Sequence, residues 1–307
     1  MGGGIAEAFA AAGLHVRLSD ATPELTLAAR ERVIERARTH SEAGLVPREA
    51  VERANTVEAA GDLGAAVAGV ELVLEAVAED LDVKREVLAA CEAAAPADAV
   101  IATNTSSLPV DALAAGLRHP ERFLAMHWFN PPEWTPGVEV VPAPATDGAV
   151  VERVVELLRG IGKRPTVVGA GVGFIANRLQ MALFCEAARC VQEGLADPAE
   201  VDEVVRSCFG FRLPFFGPFQ IADMAGLDVY RAVLEQHRRD LGERFFVPDR
   251  LAELADRGRI GTSAGAGLYS YGDGEPERLL TERDERYAAL GELLGRLPPI
   301  RFERQEE

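Results

Sequence analysis

Residues 1–20 read MGGGIAEAFAAAGLHVRLSD, where a glycine cluster runs directly into an apolar stretch and the segment closes on Asp20. The apolar residues have helical spacing, and residues 15–19 then have the pattern of a short strand. A glycine cluster that opens a helix in this way normally follows a strand, and no strand pattern stands before these glycines. The stretch therefore predicts an α/β unit whose first strand is missing from the sequence.

The same alternation of short apolar runs and helical patterns continues to about residue 168. Such alternation is typical of βαβ units, and we predict a Rossmann-type, doubly wound parallel sheet. Helices are expected at residues 23–39 and 82–94. The strand candidates are residues 15–19, 71–77, 99–103, 123–128, 138–142 and 165–168.

The pattern changes near Gly169. Apolar residues recur every four positions over residues 174–193, which indicates a long amphipathic helix. A second helix begins at residues 197–200 with the composition of a capping box, so this part of the chain is expected to be all-helical. We predict a Rossmann domain at residues 1–170, an all-α domain at 171–272, and a charged helical tail at 273–307.

Charge and cysteine content exclude several classes of function. The 49 acidic and 32 basic residues give a formal net charge of -17, which argues against nucleic acid or an anionic membrane as a partner. The four cysteines form no CxxC pair and have no histidines at zinc-site spacing, so no metal site or disulfide framework is indicated. No apolar run approaches a membrane span, and the N-terminus lacks the pattern of a signal peptide. We expect a cytoplasmic protein.

The opening stretch has the arrangement of a dinucleotide-binding unit. There, the start of the first helix receives the pyrophosphate, and an acid about 20 residues further on binds the ribose hydroxyls. Asp20 is placed as that acid, and its carboxylate would repel a 2′-phosphate, so NAD is preferred over NADP. On these residues alone, a disordered glycine-rich terminus remains the alternative.

Several motifs further along the chain narrow the function. They are IATNTSSL at 101–108, MHWFNPP at 126–132, GVEVVP at 137–142, GVGFIANRL at 171–179, FGPFQIADMAGLDVY at 216–230 and GAGLYSY at 265–271. On these motifs the chain resembles the 3-hydroxyacyl-CoA dehydrogenase family from Gly2 to about Tyr271. The resemblance implies NAD-dependent oxidation of a secondary alcohol, foremost of a 3-hydroxyacyl-CoA to a 3-oxoacyl-CoA in fatty acid metabolism. It also implies a homodimer that acts on a small-molecule substrate, with the all-α domain at 171–272 serving substrate binding and dimerisation.

The resemblance explains the opening as well. In the family the first strand is followed by G-x-G-x-x-G-x-G-I-A, where Gly2 matches the third fingerprint glycine and Gly4 the glycine of GIA. Both are thereby implied to contact the cofactor. The strand and the first two glycines are expected upstream, as for a mis-assigned start or a truncated chain.

Four residues match the family's catalytic positions. Oxidation of an alcohol needs a base for the hydroxyl proton and donors that hold the oxygen. His127 matches the catalytic histidine, Glu139 the carboxylate that orients it, Ser106 the serine that binds the substrate oxygen, and Asn177 an asparagine of the next domain. Each has a structural alternative, such as a solvent-facing acid or a serine that caps a helix. All four stand at the family's spacing, which favours catalysis.

Three further residues match positions near the cofactor. Glu79 and Lys84, within EAVAEDLDVK at residues 75–84, match sites near the ribose and nicotinamide, and Asn130 matches another. Lys84 is one of two lysines in a chain that otherwise uses arginine, which fits a compact charge in a defined site. An exposed helix lysine is the alternative.

The resemblance is weaker beside the histidine. Family members read HFFNPVPxMKLVEVI, whereas residues 127–142 read HWFNPPEWTPGVEVVP, so Trp128, Glu133 and Trp134 are expected to add bulk and negative charge to the substrate pocket. HWxNPP resembles branches that oxidise free acids, such as gulonate or pyridine-carboxylate dehydrogenases. A family lysine is also replaced by Ser263.

Two alternatives to the acyl-CoA substrate therefore stay open. One is the same mechanism on a free hydroxy acid or an aromatic alcohol, and the less favoured one is a non-catalytic, crystallin-like protein. CoA phosphates need cations, and these could come from a group of arginines that could equally pair with neighbouring glutamates. The group comprises Arg30, Arg32, Arg36 and Arg38.

Overall fold

The computed structural model describes residues 1–298, which fall into two compact units. The first is Met1–Phe184 and the second begins at Cys185. The predicted tail forms a helix over Glu275–Arg296, and its last part, residues 299–307, lies outside the described residues.

The first unit alternates helices and strands, which confirms the predicted fold class. Its helices are α1 (Gly2–Ala11), α2 (Pro23–Glu42), α3 (Arg48–Asn55), α4 (Leu63–Val67), α5 (Leu81–Ala94), α6 (Val110–Ala114) and α7 (Gly148–Gly160). Its strands are β1 (Arg17–Leu18), β2 (Glu58–Ala59), β3 (Leu72–Glu75), β4 (Val100–Thr103), β5 (Phe123–Trp128), β6 (Gly137–Pro142) and β7 (Arg164–Val167). Helix α8 (Ala176–Gln192) begins in this unit.

The strands form two sheets. One contains β1 and β2, and the other has the order β3-β4-β5-β6-β7; within residues 1–298 no hydrogen-bonded ladder joins the two sheets. Strand β2 was not predicted.

The five-stranded sheet is parallel, as predicted, except between β5 and β6. Strand β6 runs antiparallel to β5, whereas the other pairs are parallel. Residues 129–136 between them are too few to form the crossover that a parallel connection requires, so the chain turns back.

Strand β5 is buried on both faces, and its alternation decides where the polar residues point. Leu124, Met126 and Trp128 belong to the core cluster that includes Phe9 of α1 and residues of α7. Phe123 and Ala125 belong to the opposite cluster. His127, two residues beyond Ala125, therefore lies on that opposite face.

The helices begin where local hydrogen bonds satisfy their first amides. Thr22 accepts from the N–H of Leu25 at the start of α2, and Asp80 accepts from Asp82 and Val83 at the start of α5. Pro23 stands at the first helical position of α2, where it has no amide to lose.

The second unit is helical. Its helices are α9 (Pro198–Ser207), α10 (Pro218–Ala225), α11 (Leu227–Leu241), α12 (Asp249–Asp256) and α13 (Glu275–Arg296). Asp197 and Glu200 form the predicted capping box of α9. A small core of Ala222, Leu227, Leu251 and Leu254 joins α10, α11 and α12.

Among residues 1–298, no helix is long and apolar enough to cross a membrane. The same residues contain no group of three or more His, Cys, Asp and Glu side chains that could hold a metal ion.

Candidate active site

His127 and Glu139 lie directly opposite each other on β5 and β6. Opposed residues of an antiparallel pair share a face, and here His127 Nδ1 is 2.8 Å from Glu139 Oε2. The two side chains are 5% and 9% exposed. Because a carboxylate can only accept, Nδ1 donates, and Nε2 is left with a lone pair that can take a proton. The alternative of a solvent-facing Glu139 is wrong.

The second oxygen of Glu139 holds the start of α8. Oε1 accepts from the backbone N–H groups of Ile175 and Ala176, each at 3.0 Å. A carboxylate is favoured there because the helix dipole places partial positive charge at the N-terminus. One side chain therefore fixes both the histidine and the first turn of α8.

Two aromatic rings flank the imidazole of His127. The ring centres of Phe129 and Phe174 lie 4.4 and 5.4 Å from it. Phe174 has a φ of 46°, a conformation that is costly for a bulky residue and is often found where function requires strain. These rings restrict the access of water to the His127–Glu139 pair.

Ser106 lies in a turn that is organised around one carboxylate. Glu79 Oε1 accepts from Thr105 Oγ1 at 2.7 Å and from the N–H groups of Ser106 and Ser107 at 2.9 and 3.0 Å. Burial raises the pKa of Glu79, but the hydrogen bonds from Thr105, Ser106 and Ser107 outweigh it and lower the pKa to about 2. The alternative that a serine caps α6 is wrong, since its N-cap is Pro109.

Asn177 joins this turn to α8. Its Nδ2 donates to the backbone oxygen of Ser106 at 3.4 Å, and it is the second residue of the helix that Glu139 caps. The structure thus brings Ser106, His127, Glu139 and Asn177 together around the first turn of α8.

Lys84 lies inside the first unit. Its side chain is 0% exposed, and its ammonium donates to Glu75 Oε1 at 2.7 Å and to the oxygen of Asn104 at 3.1 Å. Glu79 Oε2 is 3.7 Å away. The alternative of an exposed helix lysine is wrong. The contacts of Lys84 are with this chain itself, and the cofactor role implied for Lys84 and Glu79 stays a prediction.

The loop between β5 and β6 carries Asn130, which is exposed. The other lysine of the chain, Lys163, anchors this loop by donating to the oxygens of Pro132 at 2.6 Å and Thr135 at 2.9 Å. Its burial lowers the pKa of Lys163, and its Nζ lies 5.5 Å from the centre of the Trp128 ring. The cofactor contact implied for Asn130 stays a prediction.

The expectation that Trp128 adds bulk to the substrate pocket is wrong, whereas the expectation that Glu133 adds negative charge to it stays a prediction. Trp128 is 1% exposed and packs edge-on against Phe9 in the core. Glu133 lies 3.9 Å from the guanidinium of Arg36 on α2, and its side chain is 13% exposed. Trp134 is 47% exposed and contacts His40.

The start of α1 and Asp20 fit a dinucleotide. The first turn of α1 carries neither an acidic residue nor a side-chain cap, so its amides can receive phosphate oxygens. Asp20 is exposed just beyond β1. The short connection between α1 and β1 brings the start of the helix and the end of the strand to the same end of the unit.

The two glycines differ in their surroundings. A Cβ on Gly2 would meet only Ala76 at 3.6 Å, so the backbone there is open to a ligand. A Cβ on Gly4 would stand 2.6 Å from Pro132 Cγ. Glycine at position 4 therefore permits the close approach of the β5–β6 loop to α1.

Most of the arginines on α2 are already engaged. Arg30 donates to the backbone oxygens of Val57 and Asn55. Arg36 lies beside Glu7 and Glu133, and Arg38 pairs with Glu35. Among the residues that the structure describes, Arg32 is the member of this group without a hydrogen bond or ion pair. A cluster of free cations for CoA phosphates is not present on this helix.

Sequence reasoning missed Glu75 and Asn104. Glu75 ends β3, and Asn104 follows β4 directly and accepts from the N–H of Trp128 at 3.0 Å. The signal that could have found them is the polar residue at the carboxyl end of a parallel strand, the edge where such sheets build their sites.

The chain is similar to known proteins over most of its length. Residues 1–171 match the model of the 3-hydroxyacyl-CoA dehydrogenase NAD binding domain, and residues 173–271 match that of the 3-hydroxyacyl-CoA dehydrogenase C-terminal domain. The 5-formyl-3-hydroxy-2-methylpyridine 4-carboxylate 5-dehydrogenase of Mesorhizobium japonicum is 33% identical over 301 residues, which are 96% of this chain and 95% of that protein.

Two further proteins are similar over most of their length. A probable 3-hydroxybutyryl-CoA dehydrogenase of Bacillus subtilis is 33% identical over 273 residues, covering 88% of this chain and 94% of that protein. The crystal structure of a 3-hydroxyacyl-CoA dehydrogenase from Archaeoglobus fulgidus has a TM-score of 0.79 at 34% identity, covering 96% of this chain and 95% of that one.

Proposed function

This chain belongs to the 3-hydroxyacyl-CoA dehydrogenase family of NAD-dependent oxidoreductases, and from that premise we propose that it oxidises a 3-hydroxyacyl-CoA to the 3-oxoacyl-CoA. The observation that carries the proposal is the His127–Glu139 pair, which is buried, held at 2.8 Å and anchored to the start of α8.

His127 is the general base of the proposed reaction. Its Nε2 takes the proton of the substrate hydroxyl, while Nδ1 stays bonded to Glu139. The carboxylate keeps the ring in the tautomer that exposes the lone pair, and it stabilises the imidazolium that forms. The rings of Phe129 and Phe174 limit the access of water, which strengthens this electrostatic stabilisation.

Ser106 holds the reacting oxygen. Its hydroxyl, which lies 3.4 Å from Glu79 Oε1, can turn to donate to the alcohol oxygen as negative charge develops there, and Glu79 fixes the turn that presents it. Asn177 ties the same turn to α8 through the Ser106 carbonyl oxygen. The base and the donor are thus both supported by one helix start, which limits their relative movement.

The cofactor is NAD, and the residues that would hold it are the first turn of α1 and Asp20. When bound, NAD supplies the acceptor for the hydride. The amides of α1 would receive the pyrophosphate, and Asp20 would accept from the ribose hydroxyls.

A free acid is the second candidate substrate. It is favoured by the Mesorhizobium japonicum relative, which matches this chain over 96% of its length and acts on a pyridine carboxylate. It is also consistent with α2, where Arg30, Arg36 and Arg38 are engaged with other groups of this chain. The proposed roles of His127, Glu139 and Ser106 are the same for either substrate.

We also propose that the protein forms a homodimer through α8. The structure buries no residue of this helix, and Leu179, Met181 and Phe184 are 55%, 53% and 65% exposed. Apolar side chains of this size and number are typical of an interface with a second protein surface.

The test compares three substrates with the same enzyme. We expect NADH formation with a 3-hydroxyacyl-CoA, and much less with the matching free acid or with a hydroxymethyl pyridine carboxylate. The reverse order would establish the second candidate. Replacement His127→Gln should lower kcat at least about 100-fold while NADH affinity, measured by fluorescence, is retained. Unchanged turnover in that variant would exclude His127 as the base.

A further inference from the structure

A buried polar network beneath the site has no part in the proposed chemistry. It begins at Glu75, the last residue of β3, whose side chain is 0% exposed. Glu75 Oε1 accepts from Lys84 Nζ at 2.7 Å and from the N–H of Val77 at 2.6 Å, while Oε2 accepts from Thr103 Oγ1 at 2.5 Å. An ion pair with no solvent exposure is costly unless it is fully hydrogen-bonded, as this one is.

Lys84 connects the network to Asn104 and to Glu79. It donates to the backbone oxygen of Asn104, and it lies 3.7 Å from Oε2 of Glu79, which organises the turn of Ser106. The backbone N–H of Asn104 in turn donates to the backbone oxygen of Glu75 at 2.7 Å.

Asn104 reaches the strand that carries the base. Its side-chain oxygen accepts from the N–H of Trp128 at 3.0 Å, one residue beyond His127. The paired register of β4 and β5 ends at Thr103 and Ala125. The Asn104 side chain therefore continues the contact between the two strands where the backbone ladder has stopped.

We propose that Glu75, Lys84 and Asn104 are positioning residues, which hold the end of β5 with His127 and the turn with Ser106 at a fixed separation. The inference rests on the proposed function for its catalytic consequence.

The first test removes the ion pair without leaving a buried charge. The double variant Glu75→Gln/Lys84→Met keeps approximate side-chain volume, so we expect it to remain folded. A misplacement of about 1 Å in the reacting groups can cost about 100-fold in rate, so kcat should fall by about that factor. NADH affinity, measured in the same variant, separates this effect from the cofactor contact that the resemblance implies for Lys84, because loss of that contact would weaken NADH binding.

The second test leaves the ion pair in place. Asn104→Leu removes only the acceptor for the Trp128 amide, and the same fall in kcat is expected. It keeps the inference testable if the double variant does not fold.

The third measurement needs neither substrate nor cofactor. The chain has two tryptophans, so ¹⁵N-tryptophan labelling gives two backbone amide signals, which Trp134→Phe assigns. The Trp128 amide should shift and exchange faster with solvent in both variants, because its hydrogen bond to Asn104 is lost or weakened.

The matched control is Arg122→Met, at the other end of β5. Arg122 is 7% exposed and donates to the backbone oxygens of Glu92, Pro96 and Ala99. Its loss should lower Tm but leave kcat and the Trp128 amide unchanged.

The outcomes separate the two proposals. An unchanged kcat or an unchanged Trp128 amide in folded variants would overturn the positioning role, and a loss of NADH affinity with an unmoved amide would make Lys84 a cofactor ligand. If the wild-type protein oxidises none of the substrates, the proposed function fails, while the amide measurement still decides whether the network holds β5.

Discussion

At the scale of single residues, the site in the first unit is held by carboxylates that each accept hydrogen bonds from several donors. Glu139 divides its two oxygens between the His127 imidazole and the amides that begin α8. Glu79 gathers the turn of Ser106, and Glu75 binds Lys84 and Thr103. Because charge-assisted hydrogen bonds are stronger than neutral ones, each carboxylate fixes several groups at once.

Glu79 gives a pH-dependent prediction. Its pKa is lowered from 4.5 to about 2, so its charged form stabilises the folded chain above about pH 4.5, and that contribution is lost as the pH falls toward about 2. We expect Glu79→Gln to lower the stability at neutral pH and to flatten the decline between about pH 5 and pH 2. Urea unfolding at several pH values measures both effects.

The control for this prediction is Glu152→Gln, which changes an exposed glutamate on α7. It should follow the wild-type pH profile. A Glu79→Gln profile as steep as that of the wild-type protein would show that other carboxylates account for the acid sensitivity.

At the scale of elements, one buried aspartate connects α10 to the segment that follows α12. Asp223 is 1% exposed and accepts from the N–H groups of Leu268 and Tyr269 and from the hydroxyl of Tyr271. A Cβ on Gly261 or Gly267 would collide with Asp223, so these glycines allow the segment to lie directly on the helix.

We expect Asp223→Asn to destabilise the protein by about 1–3 kcal/mol. The amide offers one acceptor oxygen and places an NH₂ against groups that already donate, so at least one buried donor loses its partner. Chemical denaturation measures the change. Asp273→Asn, at an exposed position, should stay within about 0.5 kcal/mol of the wild-type value. Equal effects of the two substitutions would contradict the role given to Asp223.

At the scale of the whole molecule, charge and exposed apolar surface act in opposite directions. The net charge of -17 opposes association between copies, whereas the exposed side chains on α8 favour it. The proposed homodimer should therefore be tighter at higher ionic strength, where the repulsion is screened.

Light scattering after size exclusion tests this proposal. We expect the wild-type protein to have twice the chain mass of 32.9 kDa. The Phe184→Glu variant should dissociate and have the mass of a single chain. Leu45→Glu, which changes another exposed leucine outside α8, should leave the dimer intact. A wild-type monomer would refute the dimer, and a dimeric Phe184→Glu would exclude α8 as its interface.

Local patterns predicted much of the first unit. The alternation of apolar runs located β5 at its observed bounds and predicted β3, β4, β6 and β7 with small shifts at their ends. It also placed the helices α2, α5 and α8, because amphipathic spacing and capping residues act within one element. The apolar alternation did not predict the two-residue strand β2 or the antiparallel direction of β6.

The sequence by itself determined which residues stand at the ends of strands, because side-chain periodicity and turn residues are local properties. Only the tertiary structure decided what those residues face. Because β6 runs antiparallel to β5, Glu139 lies opposite His127. In the folded unit the side chain of Lys84 is fully buried, and Trp128 packs in the core. Strand direction and register are fixed by pairing between segments distant in the chain, and a residue's partner therefore depends on contacts that no local pattern contains.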